Sequence, residues 1–160
     1  MLIKTRPLTR AGIFLGIGLG GFFDGILFHQ ILQMHAMLSA RIPKDSVPNI
    51  SINMFWDGIF HAFTWVMTVI GVMLLFKAQS ARHIVWSKRV FVGAMFLGWG
   101  MFNLVEGLVN HHFLHLHHVV ESMGTSRYDI AFLASGVIFI IAGWLAIRSA
   151  RESALRRSAL

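Results

Sequence analysis

Four stretches of this chain, about residues 11–38, 50–76, 90–113 and 128–147, carry no lysine or arginine, while the basic residues bunch between them. Each stretch meets the roughly 20 residues that a helix needs to cross a hydrocarbon core of about 30 Å. Inside a bilayer the backbone has no water to bond, so it must satisfy itself, and helices joined by surface loops are the default. Only 13% of the residues are charged, against about 25% in an ordinary soluble domain. The chain therefore reads as an all-α, integral membrane four-helix bundle, with its 160 residues forming a single transmembrane domain.

The basic residues set an orientation. Lys4, Arg6 and Arg10 precede the first span, Lys77, Arg82, Lys88 and Arg89 sit between the second and third, and Arg148, Arg151, Arg156 and Arg157 follow the fourth. The other two loops hold only Arg41, Lys44 and Arg127. Cations are retained on the cytoplasmic side, which places both termini there and the first and third loops outside. The net charge of +7 follows this loop pattern and not one face of a domain, so no nucleic acid is expected as a partner. The expected partner is the lipid bilayer, with a homo-oligomer or a membrane-complex partner left open. The absence of cysteine removes disulfides, thiolate metal sites and cysteine nucleophiles. The basic N-terminus leads into an apolar segment that runs on to about Leu38 with Asp24 and His29 inside it, which is a retained helix rather than a signal peptide.

Local signals add detail. Pro43, Asp45, Ser46 and Pro48 break the chain between the first two helices, and Ser51 or Asn53 is expected to cap the second. Gly12, Gly16 and Gly20 recur every four residues, a spacing that lets helices approach closely. Trp56, Trp65, Trp99 and Trp144 suit interface or core positions.

The chemistry lies in a repeated pattern. Helix one contains Asp24-Gly-Ile-Leu-Phe-His29, helix two Asp57-Gly-Ile-Phe-His61, and helix three Glu106-Gly-Leu-Val-Asn-His111. Asp57 and His61 are four apart and share a helical face. The other two pairs are five apart, which rotates the histidine by about 140° on an ideal helix. A π-bulge would bring such pairs together, and π-bulges favour functional sites. Asp24, Asp57 and Glu106 are all placed at membrane depth, where a lone charge costs at least ~2.5–3.5 kcal/mol. No lysine or arginine shares that depth, so the available partners are histidines, amides and a cation. His111, His112, His115, His117 and His118 form a second cluster at the outer end of helix three, and His35 is similarly placed on helix one. Asp129 suits a cap on helix four, with a role behind the site also open.

The strings Gly-Gly-Phe-Phe-Asp-Gly-Ile-Leu-Phe-His-Gln-Ile-Leu-Gln, Trp-Asp-Gly-Ile-Phe-His-Ala-Phe-Thr-Trp and Asn-Leu-Val-Glu-Gly-Leu-Val-Asn-His-His resemble those of a family of predicted bacterial membrane proteins of unassigned function. The likeness covers about residues 11–147. It implies four helices in a bacterial inner (plasma) membrane and no established activity. It also implies Trp and His near Met34 and His35, and Asp where this chain has Asn110, one carboxylate fewer.

The reading that follows is a membrane protein with an intramembrane carboxylate and histidine site in the outer-leaflet half, for metal handling or metal-assisted catalysis. The candidate metal ligands are Asp24, His29, Asp57, His61, Glu106, His111 and His112, with His115. The cofactor is a divalent transition metal, Zn, Fe, Mn or Cu. Two alternatives use the same residues: a haem b electron-transfer protein with paired histidines as axial ligands, and a small transporter or proton relay.

Overall fold

The computed structural model describes residues 5–81, 84 and 86–158. It holds four long helices: α1 (Arg6–Asp24), α2 (Val47–Gln79), α3 (Lys88–Glu106) and α4 (Arg127–Ser158). Helix α1 continues as a π-helical segment, Gly25–Ile31, and α3 as Gly107–Phe113. All four helices are long and apolar enough to cross a membrane. Among the described residues there is no strand, and a single 3-10 turn, Glu121–Met123, interrupts the last loop.

The first helical rod ends at Ile31, earlier than the apolar pattern to Leu38 suggests. Gln33 enters the left-handed region at φ 51° and turns the chain back toward the bundle. Helix α2 begins sooner than expected, at Val47, with extended Ser46 before it and Pro48 in its first turn. Proline suits that place because its missing N–H would have no helical partner. Ser51 and Asn53 therefore lie inside the helix. Asn53 is buried and braces the preceding loop, accepting from Leu38 N at 3.0 Å and donating to Ile42 O at 2.8 Å. Helix α4 runs past Ile147 through its basic tail, where Arg148 and Glu152 pair one turn apart at 2.8 Å.

Packing runs in the order α2–α1–α3–α4. Half of the most apolar window of α1 is buried, against 17% for α2 and for α4, so α1 and α3 form the centre and the outer pair face lipid. Glycine makes the central contact possible. Gly16 lies against the backbone carbonyl of Met95, and Gly98 against that of Ile13; a Cβ at either position would collide. Gly12 meets Ala94 and Gly20 meets Trp99, so the four-residue glycine stripe is the face that α3 covers.

These contacts are reciprocal because the chain is a structural duplication. Ile13, Leu15 and Gly16 of α1 correspond to Met95, Leu97 and Gly98 of α3, and Gly71 on Leu15 corresponds to Gly143 on Leu97. The π segments have equal lengths of 7 residues. The residue with positive φ after the first, Gln33, is matched by His115 at φ 46° after the second. The α1–α2 and α3–α4 halves are thus related by a pseudo-two-fold axis that runs between α1 and α3. The three-fold repeat of acid, glycine and histidine is in structure two-fold. Asp57 and Gly58 sit in regular α-helix, and nothing lies within 4 Å of a Cβ placed on Gly58.

A candidate metal centre on the pseudo-two-fold axis

The π segments do what the five-residue spacing requires. Each widens the helix after its acid, so that acid and histidine face the same side. His29 Nε2 lies 3.4 Å from Asp24 Oδ2, and His111 Nε2 lies 3.2 Å from Glu106 Oε2. The chain then reverses through Gln33 or His115 and delivers a second histidine from the loop, His35 or His117. These two are fully buried and stack at 4.6 Å between ring centroids. His29 approaches His35 to 4.3 Å, and His111 approaches His117 to 4.8 Å. Four imidazoles and two carboxylates therefore share one small volume.

Each ring is oriented from behind. His29 Nδ1 donates to Asp57 Oδ1 at 2.9 Å; His111 Nδ1 lies 3.1 Å from Asp129 Oδ1. His35 Nδ1 donates to Val119 O and His117 Nδ1 to Met37 O, both at 3.0 Å. In every case Nδ1 faces a fixed oxygen and Nε2 is turned inward. A histidine that ligates a metal is typically held this way, its outer N–H on a carboxylate or carbonyl. Asp57 also accepts from Met37 N at 2.8 Å and Asp129 from Val119 N at 3.0 Å, so the two acids play matching parts. Asp129 Oδ2 accepts from Ser126 N at 2.8 Å as well, which joins the capping role to the supporting one. Phe60 and Phe132 close the outer faces of His29 and His111 at 5.5 and 5.3 Å.

Most of the inward atoms make no hydrogen bond; the exception is His117 Nε2, which donates to Glu106 Oε1 at 2.8 Å. Asp24 Oδ2, His29 Nε2, His35 Nε2, Glu106 Oε2 and His111 Nε2 are buried without a hydrogen bond. One such atom costs about 1–3 kcal/mol, so several in one place call for a water or an ion between them. Two trios have donor atoms all within 4.8 Å of one another and could hold a metal ion: His29, His35 and His117, and Glu106, His111 and His117. They share His117, whose Nδ1 is already bonded to Met37 O, so they describe one centre. Burial, reinforced by His117 and His29, pushes His35 down to about 2, and a neutral imidazole is the form that binds metal. Burial also opposes charge on His117, but its 2.8 Å bond to Glu106 outweighs this and holds it above its ordinary value.

The loops that carry His35 and His117 interlock over the cluster. Ala40 N donates to Leu116 O at 3.0 Å, Glu121 N to Met34 O at 3.2 Å, and Ser39 Oγ to Glu121 Oε2 at 2.6 Å. Arg41 spans the join to Leu114 O at 2.7 Å.

Of the residues expected from the sequence to bind metal, the structure brings together Asp24, His29, Glu106 and His111. Asp57 stands behind His29. His61 donates from Nδ1 to its own helix at Asp57 O, 2.8 Å, with its ring against Gly25. His112 donates to Gly107 O at 2.9 Å, and His115 is exposed, its ring 5.9 Å from that of His118. His61, His112 and His115 belong to neither trio. His35 and His117 carry more of the cluster than the spacing within single helices indicates. Their signal lay in the duplication: each follows its acid at the same distance as the other.

No curated protein and no solved structure matches the chain. A family described as predicted membrane protein (DUF2243) matches residues 11–150. With its four apolar helices, the chain belongs to that membrane protein family.

Proposed function

We propose that this protein is a multi-pass membrane metalloprotein whose centre is formed by His29, His35, His111 and His117 with Asp24 and Glu106. The observation that carries the reading is the set of Nε2 and carboxylate atoms facing one another, most of them without a hydrogen bond, while Nδ1 of His29, His35 and His117 donates to a fixed oxygen and Nδ1 of His111 lies 3.1 Å from Asp129. Mixed imidazole and carboxylate donors suit Fe, Mn or Zn, and the imidazole share admits Cu. A bound divalent ion would balance Asp24 and Glu106, which lie buried with no lysine or arginine bonded to them among the described residues. When bound, the ion supplies Lewis acidity or electron transfer.

The interlocked loops favour a resident ion over a transported one, because release to water on this side requires breaking several backbone hydrogen bonds. The rings are also too close together to admit a porphyrin between them, which argues against haem. Basic residues gather at the bundle end opposite the cluster, so we place both termini in the cytoplasm and the centre toward the outer leaflet of the bacterial inner membrane. Elemental analysis of protein purified from membranes tests the reading. Wild type should retain a transition metal stoichiometrically, and His35→Gln and His117→Gln should lose it while remaining folded. A metal-free wild type after metal supplementation would overturn it.

A further inference from the structure

The two halves match closely around the centre, so a place where they differ carries information. Asn110, beside Glu106, corresponds to Phe28 in the first half. Phe28 stacks near His35 at 6.3 Å and closes its side. On the Asn110 side the bundle is open. A cavity of about 400 Å³ lies between α2 and α3, whose backbones stand apart and which meet through the rings of Phe60 and Phe102 at 6.0 Å. Its mouth is formed by Trp56 and Phe63 of α2 and Val105 and Val109 of α3, all lipid-facing and exposed. Its floor is Phe60 and Phe102, both buried, and the polar groups that it reaches are Glu106 and Asn110.

Glu106 belongs to one of the two trios and is only 5% exposed. The cavity therefore runs from the lipid face to the edge of the cluster, on a protein whose aqueous side is covered by locked loops. Its volume is that of a small-molecule site. Its walls are apolar, so the occupant has an apolar body. The head group is constrained by charge. Asp24, Asp57, Glu106 and Asp129 stand in or directly behind the cluster, and among the described residues none is paired with lysine or arginine. A divalent ion at the centre would balance two of these carboxylates, and the two that remain, Asp57 and Asp129, disfavour an anionic head. Asn110 Nδ2 donates to Glu106 Oε1 across 3.4 Å, and a hydroxyl suits this pair because it can donate to the Glu106 carboxylate while accepting from the Asn110 amide N–H.

We propose that this cavity binds a neutral, membrane-dissolved amphiphile with a hydroxyl head, of the long-chain alcohol or quinol type, and brings that head to the centre from the bilayer. The proposal rests on the metal reading for its purpose, but the binding itself can be measured apart from metal. The probe is 12-bromododecanol, whose bromine quenches tryptophan on contact, added to protein in nanodiscs. The signal is the fluorescence of Trp56, taken as the difference between wild type and Trp56→Phe. It should saturate with probe, and 12-bromododecanoate should bind at least tenfold more weakly. The double variant Val105→Phe/Val109→Phe, which fills the mouth, should abolish saturation while keeping the metal content of wild type. Quenching that rises linearly and equally for the alcohol and the carboxylate would show ordinary acyl chains in the cleft and overturn the proposal. Metal is assayed on the same samples. Saturable binding to a wild type that takes up no metal would leave the cavity site standing and remove the metal reading; metal-bearing protein without saturable binding would remove the cavity site alone.

Discussion

His35 and His117 each take their orientation from the other's loop: His35 donates to the carbonyl of Val119, and His117 to that of Met37, at the same 3.0 Å. Neither ring is placed by its own half of the chain. The arrangement makes the two histidines equivalent, although one follows α1 and the other follows α3.

That equivalence extends to the acids behind the first pair of rings. Asp57→Asn and Asp129→Asn each weaken the partner that orients a candidate ligand, His29 or His111. The loss expected for such an outer partner is about 10–100-fold in metal affinity, and the two variants should lie within a few-fold of each other. Competition with a graded series of chelators measures this. Loss of all metal in one and none in the other would contradict the pseudo-symmetric site.

The histidines outside the trios predict the reverse. His61→Ala, His112→Ala and His115→Gly should all retain metal at wild-type stoichiometry, read by elemental analysis. His115 is also a backbone test. At φ 46° glycine fits freely, whereas His115→Val places a β-branched residue in the left-handed region at a cost of about 1–2 kcal/mol. Thermal unfolding in detergent should rank His115→Gly at or above wild type and His115→Val below it.

Close packing of α1 on α3 gives a prediction remote from the centre. A methyl group on Gly16 or Gly98 collides with a backbone carbonyl of the opposite helix, and overpacking of this kind costs about 1–3 kcal/mol. Gly16→Ala and Gly98→Ala should lower the melting temperature by similar amounts. Gly58→Ala, which meets nothing and gains about 0.5–1 kcal/mol of helix propensity, should leave it unchanged or raise it. Equal melting temperatures for all three would contradict the central α1–α3 contact.

The pH dependence of metal binding follows from His117. Its value is raised, through Glu106 acting against burial, so the metal-free protein holds a proton there to higher pH than a free imidazole does. Metal takes the same Nε2 and must displace that proton. Low pH therefore favours the metal-free form, and affinity grows as pH rises toward the elevated His117 value. Chelator competition across neutral pH should show the increase, and calorimetry in buffers of different ionisation enthalpy should show proton release. Affinity that stays constant over the range would contradict this assignment.

Much of this protein is legible in its sequence because a bilayer leaves few options. The four spans follow from where lysine and arginine are missing, and the acids at Asp24 and Glu106 are conspicuous against apolar neighbours. The five-residue spacing to His29 and His111 leaves two outcomes, a π turn or only one member of each pair facing the site, and the structure takes the first. The loops were harder. Nothing local in Gln33 or His115 announces a left-handed residue, and apolar Ile31 and Leu32 extend the helical pattern past its true end. Without those reversals His35 and His117 read as interfacial. Asp57 looks like a ligand because its own helix offers His61 one turn on; only the packing of α2 on α1 turns it toward His29.

The exchange of carbonyls between the two loops has a consequence for biogenesis. A nascent first half, with α1 and α2 already inserted, holds His29 and His35 but lacks the Val119 carbonyl that aims His35 and the Glu106 carboxylate that completes the other trio. On the proposed reading, capture of an ion would therefore wait until the second half has been synthesised and docked. Occupancy of the centre would then report that maturation is finished, and a protein stalled after two helices would be released into quality control empty.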